Sequence, residues 1–294
     1  MSRRRVVRIL AGVGVVSLVL VVAALIFLRQ AGVWNLVFPS RSHETKAPAL
    51  PVDLARPAVL LFTKTNSFRH VDAIEAMVPL FVELVAKQGG ALFHSENSAL
   101  FSPEHLKRFD VVVFGNASGD TLSDEQDAAF AHWLQAGGGW IGIHAAGDGS
   151  HADWKWYVDN LIGAKYTAHI MDPQFQTARV VVEDRTHPAT RDLPDPWLHE
   201  EEWYSWESSP REKGFHVLAT VDESSYKPHF SFAGREMDLS MGDHPIIWTR
   251  CVGKGRAFYS ALGHQGAAYS SPAYRSVLRG ALSWTSGREG PPCG

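Results

Sequence analysis

Short apolar runs alternate with helical patterns through the middle of this chain, and that alternation restricts the fold more than any other feature. Residues 58–63 and 110–114 are continuous apolar runs, as expected of parallel strands that are buried on both faces. Residues 72–88 lie between them and carry apolar side chains at helical spacing up to Gly89 and Gly90. The pattern predicts an α/β fold, a doubly wound and mostly parallel sheet.

The sequence predicts further helices and strands along the chain. Ser102 followed by a proline, and Ser123 followed three residues later by Gln126, are typical of helix starts. Residues 184–240 are rich in Trp, Glu, Pro and His and have little periodicity, so we expect long loops and short strands there. Further apolar runs predict strands at 91–94, 140–144, 178–183, 216–221, 245–250 and 256–261, and a last helix at 272–284.

The N-terminus predicts a membrane helix. A basic stretch, residues 1–8, precedes residues 9–28, which are twenty uncharged and mainly apolar residues. About twenty residues cross a hydrocarbon core, whereas the apolar part of a cleaved signal peptide is usually shorter. The arginines before the segment favour an inside N-terminus. We therefore expect a single-pass anchor with the following domain on the periplasmic or external side.

The rest of the chain divides into three parts. Prolines and short polar stretches in residues 29–57 indicate an extended linker. Residues 58–286 form one domain, which is large enough to fold without disulfides or a structural metal. Residues 287–294 have no apolar pattern, and we expect them to be disordered.

Charge and cysteine content exclude some functions. The formal net charge is −3 and no basic cluster lies outside residues 3–8, so we expect no nucleic-acid partner. There are two cysteines. Cys251 lies in a predicted strand, where we expect it to pack in the core. Cys293 lies in the tail. A disulfide between the two cysteines is an alternative that the sequence leaves open and does not imply.

Polar side chains follow several of the predicted strands at the point where each strand ends. His70, Asn116, His144, Asp148 and His264 occupy these loops. Ligands bind outside the carboxyl ends of the strands in open α/β sheets. Each residue alone is compatible with a structural role, but the histidines should meet at one rim although they are far apart in sequence.

His169 and the run of three glutamates at 200–202 are candidates to reach the same rim. Three imidazoles and a carboxylate would suit a divalent metal such as zinc or manganese. Without a metal, the same groups could transfer protons near neutral pH. No short-spaced motif such as H-E-x-x-H is present, so spacing alone does not decide between these alternatives.

Several motifs together resemble the trehalose-utilisation (ThuA-like) family. In chain order these are residues 68–70 (FRH), 142–146 (GIHAA), 163–169 (GAKYTAH), 186–190 (THPAT), 201–204 (EEWY) and 253–264 (GKGRAFYSALGH). The resemblance implies a flavodoxin-like fold similar to class I glutamine amidotransferases. Those enzymes carry a nucleophilic cysteine after a central strand. This chain has His144 there, so the resemblance argues against a cysteine-dependent amidotransferase.

The resemblance also implies carbohydrate processing. The leading hypothesis is a hydrolase, lyase or isomerase that acts on a disaccharide or keto-sugar, and a homo-oligomer is left open. The alternative is a non-catalytic, membrane-tethered sugar-binding protein in which Trp203, Tyr204 and Trp206 stack on the ligand. The candidate residues are Glu202, His144 and Asp148 for catalysis, Asn116, Arg69 and Tyr204 for substrate binding, and His70, His144, His169 and His264 for a metal.

Overall fold

A computed structural model describes residues 3–232 and 234–293, and most of its strands form one nine-stranded sheet. The strands are β1 Ala58–Phe62, β2 Ala91–Ser95, β3 Val111–Gly115, β4 Gly139–Ile143, β5 Tyr166–His169, β6 Gln176–Val182, β7 Trp197–Glu201, β8 Tyr204–Trp206, β9 His216–Val221, β10 His229–Phe232, β11 Arg235–Asp238, β12 Pro245–Val252 and β13 Gly255–Ser260. The helices are α1 Arg3–Gln30, α2 Trp34–Val37, α3 Val71–Lys87, α4 Pro103–Leu106, α5 Asp124–Gln135, α6 Lys155–Tyr157 and α7 Pro272–Thr285.

The sheet has a parallel part and an antiparallel part. Its order is β2-β1-β3-β4-β13-β12-β9-β6-β7. The first five strands are parallel, in the order of a flavodoxin-like doubly wound sheet, which confirms that prediction. The last four extend the sheet in antiparallel fashion. The direction reverses because only Gly253 and Lys254 separate β12 from β13, too short a connection for a parallel crossover.

The predicted strands form where their side chains can be buried on both faces. Every residue of β1, β3 and β4 is buried, as their continuous apolar runs predict. The capping box predicted at Ser123 is present: its Oγ accepts from the backbone N–H of Gln126, whose side chain accepts from the backbone N–H of Ser123. Because β1, β3 and β4 are parallel, their carboxyl ends lie at the same edge of the sheet.

Strand β6 carries the chain beyond that edge. Its residues 180–182 pair with β9, whereas residues 176–180 pair with β7. Because Val180 is opposite Val221 at the carboxyl end of β9, the amino-terminal half of β6 projects past the main sheet. Strand β7 therefore ends above the rim, and its last residue, Glu201, is opposite Gln176.

The N-terminal helix has the length and composition of a membrane span. Leu10–Gln30 is apolar and none of it is buried in the protein. Such a helix can serve as a membrane anchor, and a signal sequence at an N-terminus has the same properties. Residues 1 and 2 of the predicted basic stretch lie outside the described residues.

The segment expected to be an extended linker packs on the domain instead. Lys64 Nζ lies 2.6 Å from Glu44 Oε2 in an ion pair. The same Glu44 oxygen accepts a hydrogen bond from Ser98 Oγ at 2.7 Å. Residues 34–37 form α2. The composition of the linker does not indicate these contacts, since each depends on a partner 20 or more residues away in sequence.

The C-terminal tail also packs on the domain, and the expectation that Cys251 lies in the core was wrong. Cys251 forms a disulfide with Cys293. Cys251 is exposed rather than buried in the core, because it lies near the end of β12 beside the turn at Gly253. Arg256 Nη2 donates to Pro291 O at 3.1 Å, which holds the tail on the amino end of β13. Gly294 lies outside the described residues.

Candidate functional site

Three histidines and one glutamate converge above the carboxyl ends of the strands. One possible ligand atom from each of His70, His144, Glu202 and His264 lies within 4.8 Å of the others. His264 Nδ1 is 3.0 Å from His144 Nε2 and 3.0 Å from Glu202 Oε2. The His70 ring centroid is 4.8 Å from that of His144 and 4.5 Å from that of His264.

His144 is held in an unusual backbone conformation. It follows β4 directly and has a φ of +47°, in the left-handed region that disfavours residues with a Cβ. Its Nδ1 is 2.7 Å from Ala261 O. Because a carbonyl oxygen only accepts, Nδ1 carries the proton and the Nε2 lone pair points into the cluster. The hydroxyl of Tyr204 is 2.8 Å from that Nε2 and donates to it.

The two oxygens of Glu202 have different surroundings. Gln174 Nε2 donates to Oε1 at 2.5 Å, and His169 Nδ1 lies 3.1 Å from the same oxygen. The other oxygen, Oε2, faces His264 and His144. Burial alone would raise the pKa of Glu202, but the neighbouring imidazoles of His144 and His264 hold that pKa well below its usual range. Glu202 is therefore a carboxylate at neutral pH.

The histidines of the cluster titrate differently from one another. Burial, and then the charges of His144 and His264, lower the pKa of His70 well below its usual value. Burial also acts to lower the pKa of His144, but Glu202 and Glu201 raise it overall. His70 is therefore a neutral imidazole at pH 7. Its Nδ1 is buried and has no hydrogen-bond partner among the residues that the structure describes.

This donor set fits a divalent metal. Imidazole nitrogens and a carboxylate oxygen are the ligands of many zinc and manganese sites. His70 offers one ring nitrogen to the cluster, within 4.8 Å of the ligand atoms of the other three residues. The Ala261 carbonyl already orients His144 from behind, as outer-shell groups do for metal-ligating histidines. The structure therefore contains four side chains that could hold an ion.

Comparison with known proteins agrees with the fold and the motifs. The sequence profile of the ThuA family, described as trehalose utilisation, matches residues 58–285. The chain belongs to the ThuA family. A ThuA-like protein from Bacteroides uniformis has a similar structure, with 26% identity and a TM-score of 0.67 over 82% of this chain and 95% of the other. No curated protein sequence matches.

A second ThuA-like structure shows the fold alone. The protein from Parabacteroides merdae has 18% identity and a TM-score of 0.57, over 78% of this chain and 90% of the other. The family relates the chain to trehalose utilisation and leaves the reaction open.

Of the four histidines predicted as metal ligands, three lie in the cluster and one lies outside it. His70, His144 and His264 lie in the cluster, together with Glu202, which we expected to be catalytic. His169 lies behind Glu202 Oε1 rather than in the cluster. Its side chain is 22% exposed, whereas that of His144 is fully buried, so His169 lies on the open side of the site.

Three other predicted site residues point to different partners. Asn116 is buried and its amide binds Gly263 O and the Ala145 backbone N–H, so its groups are directed at the protein. Arg69 Nη2 pairs with Glu96 Oε1 at 2.7 Å. Asp148 accepts from the Ser150 backbone N–H at 2.8 Å and is not in the four-residue cluster. These contacts favour positioning roles over direct contact with a substrate.

The aromatic residues of the sugar-binding alternative are buried. Trp203, Tyr204 and Trp206 are 1–3% exposed, and their ring faces pack inside the protein. They cannot stack on a sugar in this arrangement. Only the Tyr204 hydroxyl reaches the cluster, through His144.

Two groups of functional residues lack a signal in the sequence. Gln174 and Phe175 lie in the β5–β6 loop, where Gln174 binds Glu202 and the Phe175 ring centroid is 5.0 Å from that of His264. Glu201 accepts from the Gly263 N–H at 2.6 Å and the His264 N–H at 3.3 Å. The structure alone shows that Glu201 points inward, because burial alternates along β7.

Proposed function

We propose that this ThuA family member is a carbohydrate-processing enzyme, a hydrolase, lyase or isomerase of a disaccharide or keto-sugar. We also propose that it uses a divalent metal, zinc or manganese, held by His70, His144, Glu202 and His264. The observation that carries the proposal is the convergence of these four donors within 4.8 Å at the carboxyl edge of the sheet. Family membership supports the sugar substrate class.

A bound divalent ion would polarise a sugar oxygen or lower the pKa of a water molecule. Two roles fall to the side chains around the cluster, the positioning of Glu202 and the transfer of a proton. Glu202 Oε1 is fixed by Gln174 and His169, so that Oε2 stays directed at the cluster. His169 is the partly exposed imidazole beside this carboxylate, and we assign it the transfer of a proton to or from the sugar.

We propose that the domain lies on the periplasmic or external side of the membrane. Arginines at positions 3, 4, 5 and 8 precede the apolar helix, as in segments whose N-terminus stays inside. The Cys251–Cys293 disulfide supports the same placement, because disulfides persist in oxidising compartments and are rare in the cytosol.

The test of the metal proposal is the metal content of the detergent-solubilised full chain, measured by mass spectrometry. We expect about one equivalent of zinc or manganese in the wild type and less than a tenth of that in His144→Ala and His264→Ala. His187→Gln is the matched control. His187 is also a buried histidine, but its Nδ1 accepts from the Ala189 N–H, away from the cluster.

Two results would contradict the proposal. One is the absence of metal in the folded wild type after reconstitution with zinc or manganese. The other is equal metal loss in His187→Gln and His144→Ala, which would show that general destabilisation releases the ion. If the metal content behaves as expected, the loaded protein should convert a disaccharide or keto-sugar, and His169→Gln should lower that rate while the metal stays bound.

A further inference from the structure

The chain leaves the N-terminal helix directly against the loop that carries His70. The backbone N–H of Arg69 donates to Gly32 O at 2.8 Å. Asn35 Nδ2 donates to Thr65 O at 2.5 Å. Gly32 is two residues beyond the end of α1, and Arg69 immediately precedes His70. The end of the apolar helix and the rim of the site are therefore one packed unit.

Gly32 allows this close approach. It is buried and has a φ of +72°, a conformation that residues with a Cβ rarely adopt. A Cβ at this position would lie 1.9 Å from the carbonyl oxygen of Arg69, far inside van der Waals contact. The sequence thus supplies glycine at the position where the chain crosses the loop.

The residues after Gly32 have the character of a membrane interface. Leu36, Val37 and Phe38 are 56%, 52% and 47% exposed, although they are apolar. The Arg29 guanidinium lies 4.4 Å from the centroid of the Trp34 ring. Tryptophan and arginine at the end of a spanning helix are typical of the headgroup layer. Because these residues follow the apolar helix after a turn of three residues, the bilayer is the surface that would cover them.

The mouth of the site has apolar side chains next to its histidines. The Phe68 ring centroid is 4.8 Å from that of His70, and Phe175 lies against His264 on another side. Met171, in the same loop as Phe175, is 50% exposed. The apolar part of a sugar that is joined to a lipid would have these side chains to pack on as the sugar enters the site.

We propose that α1 remains as an anchor, that residues 34–38 lie in the headgroup layer, and that the site opens beside the bilayer toward a saccharide carried by a membrane lipid. The substrate class rests on the proposed function. The orientation rests on the contacts of Gly32 and Asn35 and on the exposed apolar residues.

The orientation is tested in the full chain, reconstituted in phosphatidylcholine–phosphatidylglycerol vesicles. A nitroxide is attached to Leu36→Cys or Met171→Cys, since the two native cysteines are joined in a disulfide. The control label is at Lys254→Cys, an exposed residue in the β12–β13 turn at the opposite end of the sheet. We expect oxygen to relax the labels at 36 and 171 more than an aqueous nickel complex does, and the reverse at 254.

Equal water exposure at positions 171 and 254 would overturn the orientation. So would an intact mass showing that the mature protein lacks residues 1–30. Neither readout requires activity, so both separate this inference from the metal proposal.

The substrate class is tested with two probes, vesicles that contain a diglucosyl-diacylglycerol and free trehalose. We expect the wild type to convert the lipid-linked sugar. Gly32→Ala should lower that rate about tenfold or more, because it displaces the anchor from the His70 loop, and should leave the metal content unchanged. Gly12→Ala is the matched control, since a Cβ at Gly12 meets nothing within 4 Å.

Conversion of trehalose at the same rate as the glycolipid would overturn the substrate class and leave the proposed function intact. Conversion of neither probe by the metal-loaded protein would overturn the substrate class and the proposed reaction together, while the nitroxide labels still decide the orientation. Equal rates in Gly32→Ala and Gly12→Ala would show that the docked anchor has no part in the reaction.

Discussion

Replacing both partners of the Cys251–Cys293 disulfide with serine should lower the thermal stability of the domain substantially. The bond joins β12 to the C-terminal tail across a sequence separation of 42 residues. In the chain-entropy description, closing a loop of about 40 residues removes freedom from the unfolded chain that is worth about 4 kcal/mol. The expected loss of unfolding free energy in the double variant is therefore about 4 kcal/mol at most.

The other contacts of the tail are too weak to replace the bond. Arg256 donates to Pro291 O, and Arg191 Nη2 lies 2.7 Å from Glu289 Oε2 in a partly exposed ion pair. Contacts of this kind contribute about 1 kcal/mol or less each. In a domain of this size, each kcal/mol shifts Tm by roughly 2–4 °C, so the drop should be about 8–16 °C.

The assay is thermal unfolding of the full chain in detergent, followed by circular dichroism with and without a reducing agent. Reduction should lower the Tm of the wild type to that of Cys251→Ser/Cys293→Ser, and it should not change the double variant, which is the control for other effects of the reagent. Identical melting of the oxidised and reduced wild type would refute the reasoning. It would mean either that the bond does not form or that the tail is not part of the cooperative unit.

Three further outcomes follow from buried polar groups. Burial, with added repulsion from Asp120 and Asp124, raises the pKa of Asp127 to about 8. Between about pH 4 and pH 8 the folded state therefore keeps a proton on Asp127 that the unfolded state has lost. The free energy of unfolding should then fall as the pH rises through this range. Asp127→Asn should remove that slope in urea titrations, with a gain of about 1–2 kcal/mol at pH 8 after allowing for solvent screening. Glu201→Gln weakens the hydrogen bonds to the 263–264 backbone and should cost about 1–2 kcal/mol and some metal retention, measured by denaturation and mass spectrometry. Asn116→Ala should cost about 2–3 kcal/mol in the same denaturation assay. Asn116→Asp should also destabilise the fold, because it keeps the acceptor for the Ala145 N–H but replaces the donor to Gly263 O with a second acceptor.

The parallel half of the fold could be predicted because its signals are local. The apolar runs that become β1, β3 and β4 are buried on both faces, so their composition alone indicates strands. The antiparallel half could be predicted only as separate strands. Its pairing depends on the two-residue turn between β12 and β13 and on the divided pairing of β6.

Part of the candidate site could also be predicted from the sequence, and part could not. His70, His144 and His264 follow strands whose carboxyl ends share one edge, so their convergence could be predicted from topology. Gln174 reaches Glu202 only because β6 projects past the sheet, and no local pattern specifies that projection. The sequence left the Cys251–Cys293 disulfide undecided for the same reason, since the tail is ordered by tertiary contacts and not by its own composition.

The segment after β13 supports the cluster from several directions at once. Ala261 O orients the ring of His144, Gly263 O accepts from the Asn116 amide, and the Gly263 N–H donates to Glu201. His144 and Asn116 also have positive φ values, +47° and +53°, each of which costs about 1–3 kcal/mol unless its surroundings fix it. Both strained residues are thus held by the strand exit that carries His264, so the cluster is arranged before any ligand binds. A change at Asn116 or Glu201, neither of which is in the cluster, should therefore alter the site as well as the stability.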